Sequence, residues 1–112
     1  MGRVLGYGQV QAMLEEIRRA VRQQEHRYTL HAQERMAQRR ITDQEVVQII
    51  LCPAAEVIEE YPTDKYSPSC LIYGYTDQRR VLHVQANHQG VIVTVYEPVP
   101  EEWLDLKQRR RL

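Results

Sequence analysis

The sequence has no long apolar run, and this absence excludes one class of protein. Its longest apolar stretch is far below the ~20 residues that a membrane-spanning helix needs. The N-terminal residues MGRVLGYGQ also lack the apolar segment of a secretory signal. With 27% charged and 43% hydrophobic residues in a chain of 112, the composition is that of one globular domain, 1–112. We therefore expect a cytoplasmic protein.

Cysteine is scarce, and its spacing does not indicate a disulfide framework. Cys52 and Cys70 are far apart and lack the CxxC spacing of a zinc or redox site, so we expect two buried or half-buried thiols. The four histidines show none of the spacings that are typical of metal ligands. The sequence predicts no metal site and no cofactor.

Net charge is also absent, because 15 basic residues balance 15 acidic ones. This balance argues against strong non-specific binding to nucleic acid. The charges are nevertheless uneven, with seven arginines against two glutamates in residues 18–40 and five acids without a base in residues 41–62. Either these runs are ordinary solvated surface, or the arginine-rich part faces phosphate.

Apolar spacing predicts three helices in the first half of the chain. Residues 8–24 carry an apolar stripe at i, i+3, i+4, i+7 and i+11, which is typical of an amphipathic helix. A second helix is predicted over 29–39. A third is predicted over 43–51, because Thr42 and Glu45 match the T-x-x-E capping box at its start.

After Pro53 the spacing of apolar residues changes from a helical pattern to that of extended strands. Turn residues separate segments rich in Val, Ile and Tyr, and these predicted strands are 55–61, 70–75, 80–86 and 91–96. Their connections are too short for crossover helices. We therefore expect an α+β fold in which N-terminal helices pack on one face of a four-stranded antiparallel β-meander.

The last predicted hairpin determines which side chains face the helices. With residues 87–90 as its loop, alternation gives a core face of Leu82, Val84, Val91, Val93 and Val95. The opposite face then carries His83, Gln85, Ile92, Thr94 and Tyr96. The sequence thus predicts a half-exposed His83 on a polar sheet face, and the loop at 76–79 leaves the register of Tyr73 open.

The stretch HAQERMAQRR, residues 31–40, places His31, Arg35 and Arg39 four residues apart. On a helix each step of four advances about 40°, so these side chains project from one side. Together with LHV at 82–84, TVYEP at 94–98 and Trp103, this stretch resembles the bacterial domain of unknown function family 4258.

The resemblance covers residues 28–104, so the first helix and the basic tail 105–112 lie outside it. The family's helices-then-strands arrangement is in turn similar to the RelE and BrnT toxins, which are grouped with barnase and EndoU as metal-independent ribonucleases. The resemblance implies a toxin-like domain of the RelE type that cleaves or binds RNA, with an antitoxin-like protein as a partner. The toxins carry more basic residues on the sheet, where this chain has only Arg79 and Arg80.

Metal-independent RNA cleavage needs a base for the 2′-hydroxyl proton, an acid for the leaving 5′-oxygen and donors on the phosphate. Histidine side chains ordinarily exchange protons near neutral pH, so His31 and His83 are predicted to share the acid and base work. Arg35 and Arg39 are predicted to bind the phosphate, and Tyr96 is predicted either to donate to a non-bridging oxygen or to help position the scissile group.

Each of these residues also has a structural interpretation. His31 can hydrogen-bond a strand carbonyl, Tyr96 can be a packing residue, and Trp103 can close the C-terminal end of the core. The two arginines can instead fasten the helix to the sheet, with Glu34, Glu60 and Glu97 as candidate partners. The competing function is a non-catalytic protein-binding module, which the zero net charge favours.

Overall fold

The computed structural model describes residues 7–63, 65–66 and 68–110. Its helices are α1 Tyr7–Arg22, α2 Leu30–Arg39 and α3 Asp43–Leu51. Its strands are β1 Arg27–Tyr28, β2 Glu56–Tyr61, β3 Ser69–Tyr75, β4 Val81–Asn87, β5 Val91–Tyr96, β6 Trp103–Leu104 and β7 Gln108–Arg109. The predicted α+β class is confirmed, and no helix among the described residues is long and apolar enough to cross a membrane.

The main sheet has five strands in the order β1-β5-β4-β3-β2, so the predicted four-stranded antiparallel meander is wrong. Strands β2 to β5 are antiparallel neighbours, but β1 pairs with β5 in parallel. Hydrogen bonds from Arg27 N to the Gly90 carbonyl (2.9 Å) and from Thr29 N to the Ile92 carbonyl (3.0 Å) hold β1 in place. A strand of two residues is too short to show an alternating pattern in the sequence.

The three helices share one core with the sheet. The predicted stripe on α1 is buried at Met13, Leu14, Ile17 and Val21. The capping box of α3 is confirmed, since Glu45 N donates to Thr42 Oγ1 (3.1 Å) and Thr42 N donates to Glu45 Oε1 (3.0 Å). The two cysteines are buried and free, as expected, at Cys52 and Cys70.

A β-bulge changes the predicted register of the last hairpin. The predicted loop places Ala86 opposite Val91, but Ala86 pairs with Ile92, and the pairing shifts by one further residue between Ala86 and Gln85. The extra residue reverses the alternation of side chains. Ile92 therefore lies in the main core cluster, and Val91 and Val93 lie outside it, so the prediction was wrong for these three. It is confirmed for Leu82, Val84 and Val95.

One guanidinium, that of Arg80, joins the end of α2, the start of α3 and the end of β5. It donates to both carboxylate oxygens of Glu45 (3.0 Å each) and to Glu97 (3.0 Å). It also donates to the backbone carbonyls of Arg39 (2.9 Å) and Arg40 (3.1 Å). These carbonyls belong to the C-terminal end of α2, where a helix leaves such groups unpaired.

Alanine at Arg80 is expected to lower the free energy of unfolding by about 2 kcal/mol, because it leaves these acceptors without their donor. The side chains of Arg80 and Glu45 are each 24% exposed, so solvent limits the effect. Burial disfavours the charged form of Glu45, but hydrogen bonds from Thr42 and Arg80 outweigh it and lower the pKa of Glu45. This stabilisation is present above the unfolded carboxyl pKa and is lost as the pH falls through the folded value.

Denaturant titrations should therefore give a lower free energy of unfolding for Arg80→Ala than for wild type at neutral pH. This difference should become smaller below about pH 4. Arg79→Ala is the control, since Arg79 is exposed and contacts the Tyr75 ring rather than these acceptors. Equal stability of the two variants at neutral pH would contradict the role assigned to Arg80.

Candidate functional site

The predicted stripe lies on α2, whose start is fixed by Thr29. The Thr29 hydroxyl accepts a hydrogen bond from Ala32 N (3.0 Å) and donates to the Val93 carbonyl (2.8 Å), so it caps the helix and ties it to β5. Ala32 is fully buried, while Arg35 is half-buried and Arg39 is exposed. The two arginines therefore lie on the part of the helix surface that solvent can reach.

Arg35 and Arg39 line a cavity of about 420 Å³ together with Tyr96. Other lining residues come from the sheet and from the C-terminal residues, and they include Tyr61, Gln85, Thr94, Trp103 and Arg109. The structure thus brings three of the predicted site residues to one cavity. Their predicted roles in binding or catalysis stay predictions.

Neither Arg35 nor Arg39 makes a side-chain hydrogen bond or an ion pair within the described part of the chain. The alternative in which they fasten α2 to the sheet through Glu34, Glu60 or Glu97 is therefore not seen among these residues, and Glu97 pairs with Arg80 instead. Arg109 also lines the cavity, but its charge is balanced by Glu59 at 3.1 Å. The positive charge at the cavity that no ion pair balances comes from the two arginines of α2, and the acidic Glu102 also lines the cavity.

His83 lies on the face of the sheet opposite the helices, as predicted, but it is fully buried rather than half-exposed. Its Nε2 lies 2.6 Å from the Leu106 carbonyl, which can only accept, so Nε2 carries a proton. The Trp103 ring packs edge-on against the imidazole with centroids 4.5 Å apart. Burial lowers the pKa of His83, so the imidazole is neutral at pH 7.

Tyr96 is the hydrogen-bond partner of the other imidazole nitrogen. It pairs with His83 across β4 and β5, and its hydroxyl lies 3.3 Å from Nδ1. Because Nε2 of the neutral ring holds the proton, Nδ1 accepts and the Tyr96 hydroxyl donates. Burial raises the pKa of Tyr96 to about 12, which keeps this hydroxyl protonated. Tyr73 also joins this face, since it pairs with His83 across β3 and β4.

His31 is placed differently from the other predicted residues. It is exposed in the first turn of α2, and it does not line the cavity that Arg35 and Arg39 share. The structure therefore does not assemble the predicted pair of His31 and His83. Trp103 is a packing residue, but it covers His83 on the far side of the sheet and is not part of the main core cluster.

Tyr61 and Arg109 are two of the lining residues that the sequence reasoning missed. Tyr61 ends β2, and its hydroxyl donates to Glu59. Arg109 belongs to the segment interpreted as a basic tail, of which residues 111–112 lie outside the described residues. The KQRRRL sequence carries no signal for the return of this segment across the sheet. Within the described ranges, no group of three or more potential metal ligands is present.

A family model with the description "Domain of unknown function (DUF4258)" matches residues 28–97. The matched range contains α2 with its arginines, as well as His83 and Tyr96, and it ends immediately before the residues that cover His83. No curated protein and no solved structure matches the chain. The resemblance to this family is confirmed, and the remoter similarity to RelE-type toxins stays a prediction.

Proposed function

The chain belongs to this family of domains of unknown function, DUF4258, and we propose that it is a toxin-like domain of the RelE type that binds RNA beside α2. The observation that carries the proposal is the pair of unpaired arginines at one cavity. Arg35 and Arg39 are free to contact phosphate, and a guanidinium is suited to bidentate contacts with phosphate oxygens.

The remaining lining residues suit single-stranded RNA. Tyr61 and Tyr96 offer aromatic surfaces for unstacked bases, and Gln85 and Thr94 offer polar side chains at the same cavity. Proteins that bind single strands combine such aromatic surfaces with positive charge along the backbone. We assign the phosphate to the arginines and the bases to the tyrosine side of the cavity.

The finer proposal is metal-independent cleavage of the bound strand. Both ring nitrogens of His83 are engaged in the structure, so cleavage requires Nε2 to leave the Leu106 carbonyl and the ring proton to move to Nδ1, where the Tyr96 oxygen accepts it. Nε2 then takes the proton of the 2′-hydroxyl, the 2′-oxygen attacks phosphorus, and the bond from phosphorus to the 5′-oxygen breaks. His31 is the proposed acid that protonates this 5′-oxygen, a role that requires it to reach the cavity from the exposed side of α2. Tyr96 supplies a protonated hydroxyl that can donate to the phosphate as its charge develops.

RNA binding is tested with a fluorescently labelled single-stranded RNA and the double variant Arg35→Ala/Arg39→Ala. We expect its affinity to fall about tenfold or more, and the slope of log K against log salt to become shallower by roughly 0.7 for each lost phosphate contact. The charge-matched control is Arg19→Ala/Arg22→Ala, which removes two arginines from the last turn of α1.

Equal loss of affinity in both double variants would show that only net charge matters and that the cavity is not the binding site. If wild-type protein binds no RNA at all, the competing function is favoured, a non-catalytic protein-binding module. The zero net charge supports that alternative, in which an antitoxin-like protein is the candidate partner. Binding of such a protein to wild type but not to Arg35→Ala/Arg39→Ala would support it directly.

A further inference from the structure

Residues 98–110 form a C-terminal strap that crosses the sheet over His83. Its strands β6 and β7 pair only with each other and form a separate two-stranded sheet. The turn between them contains Asp105 and Leu106 with φ of 52° and 61°, which are left-handed values that non-glycine residues rarely adopt. The strap thus lies on the domain without adding a strand to the main sheet.

The strap is attached through few buried groups. Within residues 98–110, all of which are described, only Pro98 and Trp103 are buried, and Leu106 is half-buried. Trp103 packs on His83, and the Leu106 carbonyl accepts from His83 Nε2. His83, the proposed base, is therefore one of the groups that hold the strap down, and the strap in turn excludes solvent and substrate from it.

Two ion pairs fasten the strap to the edge strand β2. Lys107 Nζ lies 2.6 Å from Glu56, and Arg109 lies 3.1 Å from Glu59. The cations are 44% and 56% exposed, so both pairs are open to solvent and to competing anions. Arg109 also stacks on the Trp103 ring at 4.5 Å, which connects the outer ion pair to the buried tryptophan.

We propose that the C-terminal strap is a reversible cover of His83, and that the phosphate backbone of bound RNA releases it by competing with Glu56 and Glu59 for Lys107 and Arg109. This inference rests on the proposed RNA binding. Arg109 already lines the cavity beside Arg35 and Arg39, so a strand held by the two α2 arginines brings phosphates within reach of it. Withdrawal of Arg109 from Glu59 and from Trp103 loosens the strap, and its opening frees His83 Nε2.

The opening of the strap can be measured without RNA, because Trp103 is the only tryptophan in the chain. Acrylamide quenching of its fluorescence should be weak in wild type. In Glu56→Gln/Glu59→Gln, which removes both anchoring charges, we expect the quenching constant to rise by about two- to tenfold, the range expected from losing exposed ion pairs. The charge-matched control Glu15→Gln/Glu16→Gln removes two α1 carboxylates, which contact Arg18 and His88, and its quenching constant should equal that of wild type.

Release by RNA is measured by amide hydrogen exchange of wild type with and without a single-stranded RNA. The amides of Lys107 and Arg110, which donate within the strap to Leu104 and Glu102, should exchange several-fold faster with RNA bound, while β3 and β4 are unchanged. Inorganic phosphate is the comparison that separates a general anion effect from one that requires a strand.

The outcomes separate this inference from the proposed function. The proposed release by RNA is wrong if RNA binds through Arg35 and Arg39 but the hydrogen exchange of the strap amides is unchanged or slower. If the quenching constant of Trp103 in Glu56→Gln/Glu59→Gln equals that of wild type, the strap is not a reversible cover. If no RNA binds, release of the strap by RNA is wrong together with the proposed function. The quenching result alone then decides whether the strap opens.

Discussion

Replacing His83 with alanine is expected to reduce RNA cleavage by about a hundredfold or more, the usual scale for losing a general acid or base. His83 is the buried imidazole that burial keeps neutral, and a neutral imidazole can accept the 2′-hydroxyl proton. Cleavage should persist in EDTA and leave 2′,3′-cyclic phosphate ends. DNA should remain intact, because it lacks the 2′-hydroxyl.

Because His83 is fully buried beneath Trp103, alanine there also removes packing and the hydrogen bond to Leu106. His83→Gln is therefore the second variant, since its side-chain amide can donate to the Leu106 carbonyl but cannot serve as a base near neutral pH. We expect it to lose cleavage as strongly as alanine while its thermal stability stays closer to wild type.

His31→Ala decides whether the exposed histidine of α2 takes part. A loss comparable to that of His83→Ala would support an acid and base pair that assembles when RNA binds. Wild-type activity in His31→Ala would remove His31 from the site and leave His83 in place. If wild-type protein leaves a broad panel of RNAs uncut, both alone and with ribosomes, the catalytic proposal is wrong, and RNA binding is judged by the Arg35 and Arg39 variants.

Gly90→Ala is expected to lower the free energy of unfolding by about 3 kcal/mol. Gly90 has φ of +83°, a conformation that side chains disfavour, and an added Cβ would lie 2.7 Å from the Ala20 Cβ of α1. Its carbonyl also accepts from Arg27 N, so a displaced hairpin disturbs the parallel strand β1. In a thermal melt this corresponds to a decrease of roughly 10–20 °C in Tm.

The matched control is Gly8→Ala, because a Cβ at Gly8 meets nothing within 4 Å and α1 gains a better helix former. Its stability should be unchanged or increase by up to about 1 kcal/mol. The double variant Gly90→Ala/Ala20→Gly removes the steric contact but not the backbone strain, so only part of the loss should be recovered. A Gly90→Ala protein as stable as wild type would show that α1 and the hairpin are not packed as described.

Much of the helical half and part of the site were predictable, because the signals for them are local. The capping box at Thr42 and Glu45 specifies the start of α3 through neighbouring residues. The four-residue spacing of Arg35 and Arg39 requires only a helix to place them on one side. That His83 and Tyr96 share one face of the sheet followed from alternation, but their direct pairing did not, because the predicted register placed Thr94 opposite His83.

The sequence by itself therefore determined the helices, the arginine stripe and the polar face of the sheet, since each depends on periodicity within one element or one pair of strands. Tertiary structure decided the rest. The parallel pairing of β1, the bulge that brings Ile92 into the core and the contacts of Arg80 all depend on residues distant in the chain. The burial of His83 depends on the return of residues 98–110, which are held by Trp103 and two ion pairs to β2. Contacts of this kind follow from the packing of the whole chain and have no local period in the sequence.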